Sequence, residues 1–237
     1  MSWSYPNAAM RYIRSQDGEL TVNVDPLAYW IQRYFYAKSD TAIFYDLLKA
    51  GANIKVSHAM GDEFKLNNPI KALIDAYNHL ELLEDDFYAI KTELMLALIK
   101  HGADPCEKYQ FGNNVLHVCM FSGRASKITW LGSMPEFKPY FERMMLEKNL
   151  NGNTPMSELC HRIDTSNFSD EFVFRACEPY VRYGIDIFRH VFEKKSLTYA
   201  DFLIEAGYVE VVRRLTAIQS SIKNQEHLTN YIKPKGL

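Results

Sequence analysis

The stretch Leu98-Ile-Lys-His-Gly-Ala-Asp-Pro105 ends one apolar helical run and opens a turn. Ile90, Leu94, Ala97 and Leu98 precede it at spacings of four, three and one, the stripe of a half-buried helix. Gly102 then stops the helix, because glycine takes the left-handed conformation at the position after the C-cap without a Cβ clash. Asp104 bends the chain through its own side-chain hydrogen bonds, and Pro105 blocks a return to helix. The same signal recurs at Leu47-Leu-Lys-Ala-Gly-Ala-Asn-Ile54 and at Tyr180-Val-Arg-Tyr-Gly-Ile-Asp-Ile187.

A second signal recurs at helix starts. It reads Asp25-Pro26-Leu27, Asn68-Pro69-Ile70, Asn114-Val115-Leu116-His117 and Thr154-Pro155-Met156. A short polar side chain caps the first turn, and proline fits where no intrahelical N–H is needed. Glycine turns lead into Gly112-Asn-Asn-Val-Leu-His117 and Gly152-Asn-Thr-Pro-Met156. Helices are expected over residues 25–35, 40–49, 69–83, 86–101, 115–120, 139–147, 156–162, 171–183, 198–206 and 209–223. Strand is expected only as short pairings in turns.

Taken in order, these residues resemble the ankyrin repeat: a glycine turn, Thr-Pro-Leu-His, a helix, Gly-His, a second helix, then Gly-Ala-Asp. The match is closest over 197–215, where Gly207 and Tyr208 occupy the Gly-His position and Val209-Glu-Val-Val212 begins the second helix. Gly123 falls at the inter-helix spacing after Val115. The units depart from the family in length. Their helix starts, at 26, 69, 115, 155 and about 199, lie 40 to 46 residues apart, where the family repeat is about 33 residues. The third unit runs from Met145 to Asn151 straight into Gly152 with no Gly-Ala-Asp, so its turn is shortened or rebuilt.

The resemblance implies an all-α fold, an elongated solenoid of about five ankyrin-like helix-turn-helix repeats over 25–223. Residues 1–24 would form an N-terminal cap segment and 224–237 a polar, frayed C-terminal tail. It also implies a protein-protein interaction module: an adaptor, a targeting module or an inhibitory subunit that binds another protein through its concave or turn face. The irregular repeats resemble those of viral proteins and of effectors that intracellular bacteria deliver into hosts. The partner-binding residues expected in the turns are Lys55, His58, Phe64, Lys65, Lys108, Tyr109, Phe111, Arg189 and His190. Trp130 joins them, either as the apolar anchor of the long aperiodic run Phe121–Pro135 or as the residue that pins that run to the core. His117 takes the histidine place in Thr-Pro-Leu-His, which implies a buried ring that ties helix ends by hydrogen bonds.

Composition sets bounds on chemistry. Lys plus Arg number 27 and Asp plus Glu 29, a net charge of −2. That balance supplies no general attraction to nucleic acid, and none is expected as a partner. The most apolar run, Leu94 to Ile99, falls short of the roughly 20 residues a membrane span needs, so no membrane insertion is expected. The N-terminus lacks the basic and apolar regions of a signal peptide. Cys106, Cys119, Cys160 and Cys177 form no CxxC and read as reduced thiols in a cytoplasm, its own or a host's.

His117, Cys119, Cys160 and His161 are ligand types that zinc accepts, but their spacings match no zinc motif, and no cofactor is expected. No GxSxG, GxGxxG, phosphate-binding P-loop or HExxH is present. The chain reads as a non-enzyme. The alternative is an enzyme on a helical scaffold with its site in the long loops, among them the acidic stretch of His79, Glu84, Asp85 and Asp86.

Overall fold

The computed structural model describes residues 9–15, 18–24, 27–28, 30–31, 41–52, 54, 69–76, 84–121 and 125–232. They are mostly helical. The chain divides into two compact units, Met1–Gln110 and Phe111–Leu237, where the sequence reading had one continuous array.

In the first unit, β1 (Ala9–Ser15) and β2 (Gly18–Val24) form an antiparallel pair, with Ala9 opposite Val24 and Ser15 opposite Gly18. This hairpin was not read from the sequence, which assigned 1–24 only as a cap. Residues 27–28 and 30–31 are helical, and the helices α1 (Ala42–Lys49), α2 (Pro69–Asp75) and α3 (Glu84–Lys100) follow. α2 packs against α3 and buries Ile70, Ala72, Leu73 and Ile74. Lys91 is buried here, its ammonium donating to the Ile74 carbonyl at 3.4 Å and lying 5.2 Å from the Phe87 ring centre. α3 begins at Glu84, so the acidic stretch expected as a loop is helical from that residue on.

The second unit holds α4 (Val115–Phe121), α5 (Ala125–Ser133), α6 (Lys138–Met144), α7 (Pro155–Thr165) and α8 (Asp170–Arg182). A short antiparallel pair, β3 (Val191–Phe192) and β4 (Leu197–Thr198), leads into α9 (Tyr199–Glu205) and α10 (Val209–Ile232). Two rows result. α4 packs on α7 and α7 on α9; α5 packs on α8 and α8 on α10. Phe141, Cys119, Cys160, Cys177, Tyr180 and Leu215 are buried in this unit.

The recurring glycine stops are one device repeated. At Gly102 (φ +94°) the Gly102 N–H donates to the Ile99 carbonyl at 2.9 Å and the Ala103 N–H to Leu98 at 3.0 Å. These paired bonds satisfy two of the carbonyls a helix end leaves open. The bonds repeat at Gly51 with Ala52, at Gly184 with Ile185 and at Gly207 with Tyr208. In the following turns Asp104 accepts from the Cys106 N–H at 2.9 Å and Asp186 from the Phe188 N–H at 3.1 Å.

The sequence reading is corrected in the middle and at the end of this unit. Within the run Phe121–Pro135, residues 125–133 form α5, because Ala125, Ile128 and Leu131 present a helical apolar stripe that α8 covers. Trp130 is 5% exposed within that helix, so it belongs to the core and is not a surface anchor. Lys127 of the same helix is 3% exposed. The segment 163–171 is mostly helix too, with a connection of only Ser166–Ser169. The tail expected from 224 continues α10 as far as Ile232.

α5 and α8 meet at close range. A Cβ on Gly132 would stand 2.8 Å from Pro179 Cβ. Pro179 lies inside α8 and has no N–H to give the Arg175 carbonyl, and the Thr129 hydroxyl of α5 donates there at 3.3 Å. The Tyr183 hydroxyl donates to the Gly132 carbonyl at 2.6 Å.

Candidate functional site: the turn face of the second unit

The face is held by asparagine and histidine side chains. Asn114 is fully buried and its amide donates to the Met144 carbonyl and to Glu147, each at 3.0 Å. Its side-chain oxygen accepts the His117 N–H at 3.2 Å, capping α4. The His117 ring, 1% exposed, donates from Nε2 to the Asn153 carbonyl at 2.8 Å. Its Nδ1 lies 2.7 Å from the Asn114 side-chain oxygen and 3.2 Å from the Asn114 N–H. His117 therefore ties the start of α4 to the next turn, the role the family resemblance implies.

That next turn, the one without Gly-Ala-Asp, is rebuilt around Asn149. The Asn149 side-chain oxygen accepts from the N–H groups of Asn151 and Asn153, each at 3.0 Å. Its amide donates to Asn113 and to Glu158, each at 2.9 Å. Each such bond contributes about 1 kcal/mol net, and leaving one of these buried groups unpaired would cost more. Gly152 (φ +78°) closes the turn, and Thr154 caps α7 by accepting the Ser157 N–H at 3.2 Å.

Beside this turn lies a cleft of about 500 Å³, bounded on its far side by the β3–β4 hairpin. Its walls include Lys148, Asn153, His161, Phe192, Glu193 and Lys194. Thr154 and Ser157 line the cleft and share hydrogen bonds with the buried Tyr199 hydroxyl behind them: Thr154 to Ser157 at 2.9 Å, Thr154 to Tyr199 at 3.0 Å and Ser157 to Tyr199 at 3.2 Å. Lys148 pairs with Glu193 at 2.6 Å across the cleft rim. The His161 ring stands edge-on to Phe192, with 4.9 Å between centres. Asn153 commits its amide to Glu158 at 3.0 Å, so His161 Nε2 donates to the Asn153 oxygen at 3.3 Å. His161 Nδ1 is left to accept from the Lys194 ammonium at 3.4 Å. Burial first, and the Lys194 charge second, hold the His161 pKa below the usual histidine value; Glu158 and Asp164 oppose the shift. Asp164 is itself held low by the hydrogen bond from Lys195 at 2.8 Å.

Large apolar side chains stand in the open at the turn tips. Phe111 is 58% exposed and Leu150 80%, and the Leu150 N–H donates to the Phe111 carbonyl at 2.8 Å. Phe188 and Val191 are exposed in the later turn. Phe111 sits at φ +59°, a left-handed backbone that costs a bulky residue about 1–2 kcal/mol.

Of the residues expected to bind, Phe111, Arg189 and His190 fall in this unit's turns. Arg189 is exposed, 3.7 Å from Asp186, and His190 is half-buried with Nδ1 3.0 Å from the Asp186 carbonyl. Lys108 is exposed and Tyr109 half-buried in the first unit, after α3. Lys55, His58, Phe64 and Lys65 lie outside the described residues, as does His79. Lys148, Leu150, His161 and Lys194 were missed. Leu150 carried a signal, an apolar residue inside the polar turn Asn149–Asn153. The approach of His161 to Lys194 carried none, since 33 residues separate them.

Among the described residues, no group of three or more His, Cys, Asp or Glu is placed to hold a metal ion. Nor is any helix of the described residues long and apolar enough to cross a membrane. No protein-family model matches the chain, and no curated protein matches it.

Proposed function

We propose that the second unit is an ankyrin-like stack of helix pairs that binds a partner protein through its turn face. The exposed apolar tips carry the reading. Phe111, Leu150, Phe188 and Val191 stand in water at the turns, as do Leu146, Ile204 and Val209 elsewhere in the unit, which buries most of its other large apolar side chains. Aromatic and aliphatic anchors of this kind are what protein interfaces cover. The left-handed backbone at Phe111 strengthens the case, because local strain gathers where function needs a particular display.

The two helix rows, the shared glycine stop and the buried His117 support the ankyrin-like reading. Such an array contacts its ligand along an extended face built by stacking. Four buried free cysteines favour a reducing compartment, the cytoplasm of its own cell or of a host.

The test is comparative affinity purification. The full chain and the double variant Phe111→Ser, Leu150→Ser are used as bait under the same conditions. A partner retained by the first and lost by the second supports the reading, provided both melt at similar temperatures. Equal recovery with both baits moves the interface elsewhere.

A further inference from the structure

We propose that the cleft between the 149–154 turn and the β3–β4 hairpin binds the carboxylate side chain of an extended partner segment, paired with the Lys194 ammonium. The proposal rests on the reading of this face as a protein-binding surface and names the chemistry of what it binds.

Lys194 is exposed, and among the described residues no carboxylate pairs with it; its contact is the neutral Nδ1 of His161. A cation whose neighbour is a ring nitrogen accepts a carboxylate in its place at little cost. The other charges at the cleft are already matched: Lys148 with Glu193 on the wall, and Lys195 with Asp164 nearby. Two lysines against one glutamate therefore leave the lining with one positive charge. A cleft of about 500 Å³ accommodates a side chain and its flanking backbone, within the roughly 300–1,000 Å³ of ordinary ligand sites. Phe192 and Val191 form an apolar wall that lowers the local dielectric and strengthens a single ion pair.

The balance of charge selects the anion. A carboxylate carries one negative charge and matches the lining. A phosphate group brings nearly two, and the surplus would face Glu193, the one carboxylate of the lining. Leu150 adjoins the cleft-lining Asn151, and Val191 lines the cleft itself, so the neighbours of the acidic residue are expected to be apolar.

Occupation has a readout at His161. The groups facing that ring are Lys194, Glu158 and Asp164, with Asp164 tied to Lys195. A bound carboxylate compensates the Lys194 charge, so the ring takes up its proton at higher pH than in the free protein.

The experiment follows the His161 ring resonances of the full chain by NMR, assigned with His161→Gln. The probes are the capped pentapeptide Val-Leu-Asp-Leu-Val and its counterparts with asparagine and phosphoserine at the centre. The aspartate peptide is expected to give a saturable shift at His161 and to raise its titration midpoint. The asparagine peptide, and the aspartate peptide on Lys194→Ala, are expected to bind about fivefold more weakly or worse. Lys194→Arg is expected to retain binding, which separates charge from any loss of fold. Equal affinity for aspartate and asparagine, or an unmoved His161, overturns the pocket. Tighter binding of the phosphoserine peptide overturns its assignment to a carboxylate. If capture depends on Phe111 and Leu150 while His161 stays unmoved, the pocket falls and the protein-binding reading stands. If the peptide binds but no partner is captured, the pocket stands and that reading falls.

Discussion

Replacing Gly132 with alanine should destabilise the second unit, although alanine is the better helix former. Propensity alone favours the change by about 1 kcal/mol. The new methyl, however, would stand 2.8 Å from Pro179 Cβ and 3.3 Å from Pro179 Cγ. Both are atoms of a closed ring, which cannot rotate away, so α5 and α8 must part. Overpacking of this kind costs about 1–3 kcal/mol. Separation also stretches the 2.6 Å hydrogen bond from Tyr183 to the Gly132 carbonyl, worth about 1 kcal/mol. The net expectation is a loss of about 1–3 kcal/mol, favourable propensity included. For a unit of this size, each kcal/mol lowers the thermal midpoint by roughly 4 °C. Calorimetry on the full chain reads it. Adding Pro179→Gly removes both obstructing ring atoms and restores an N–H for the Arg175 carbonyl, so the double variant should recover more than half of the loss. A Gly132→Ala protein that melts at or above the temperature of the parent would refute the argument, as would a double variant showing no recovery.

Asn114→Ala strips the buried partners of the His117 N–H and the Met144 carbonyl, and urea unfolding should register a loss of about 2–3 kcal/mol. His161 titrates below the ordinary histidine value. Its unfolded form therefore binds more protons just below pH 6.5, and stability fully present above that pH declines as pH falls toward the folded pKa. His161→Gln should flatten that part of the stability profile, and an unchanged slope would reject the assignment. Burial pushes the Cys177 thiol up to about 12 and the Cys160 thiol well above its usual range. A thiol-specific reagent should accordingly label neither until the protein unfolds; rapid labelling of either in the native state would contradict their burial.

Helix ends were the most legible part of the fold. Gly102-Ala-Asp and Gly184-Ile-Asp carry their stopping bonds within a few residues, so the sequence alone is enough to place them. Phe121–Pro135 was not legible as helix, because its glycines and polar residues dilute the apolar stripe that α8 selects. Trp130 illustrates the same limit: an aromatic residue in an aperiodic run looks exposed until the neighbouring helix is known. His117 could be placed because its cap partner, Asn114, lies three residues away. The cleft could not, since Lys148 meets Glu193 and His161 meets Lys194 across dozens of residues. Asn149 falls between: an asparagine-rich turn signals side-chain bonding, but its reach to Asn113 depends on the stacking of two turns.

The row arrangement of the second unit has a mechanical consequence. α8 lies between α5 and α10, and α7 between α4 and α9, with each helix gripping chiefly its neighbours. A load applied at residues 111 and 232 would therefore not meet one core that gives way at once. It would peel helix pairs from the ends inward, and the force–extension trace should be a series of low teeth. α8 and α9 carry their own terminating bonds at Gly184 and Gly207, so these two helices could re-form their ends before redocking. The unit would then yield and recover in steps, as a spring of small catches.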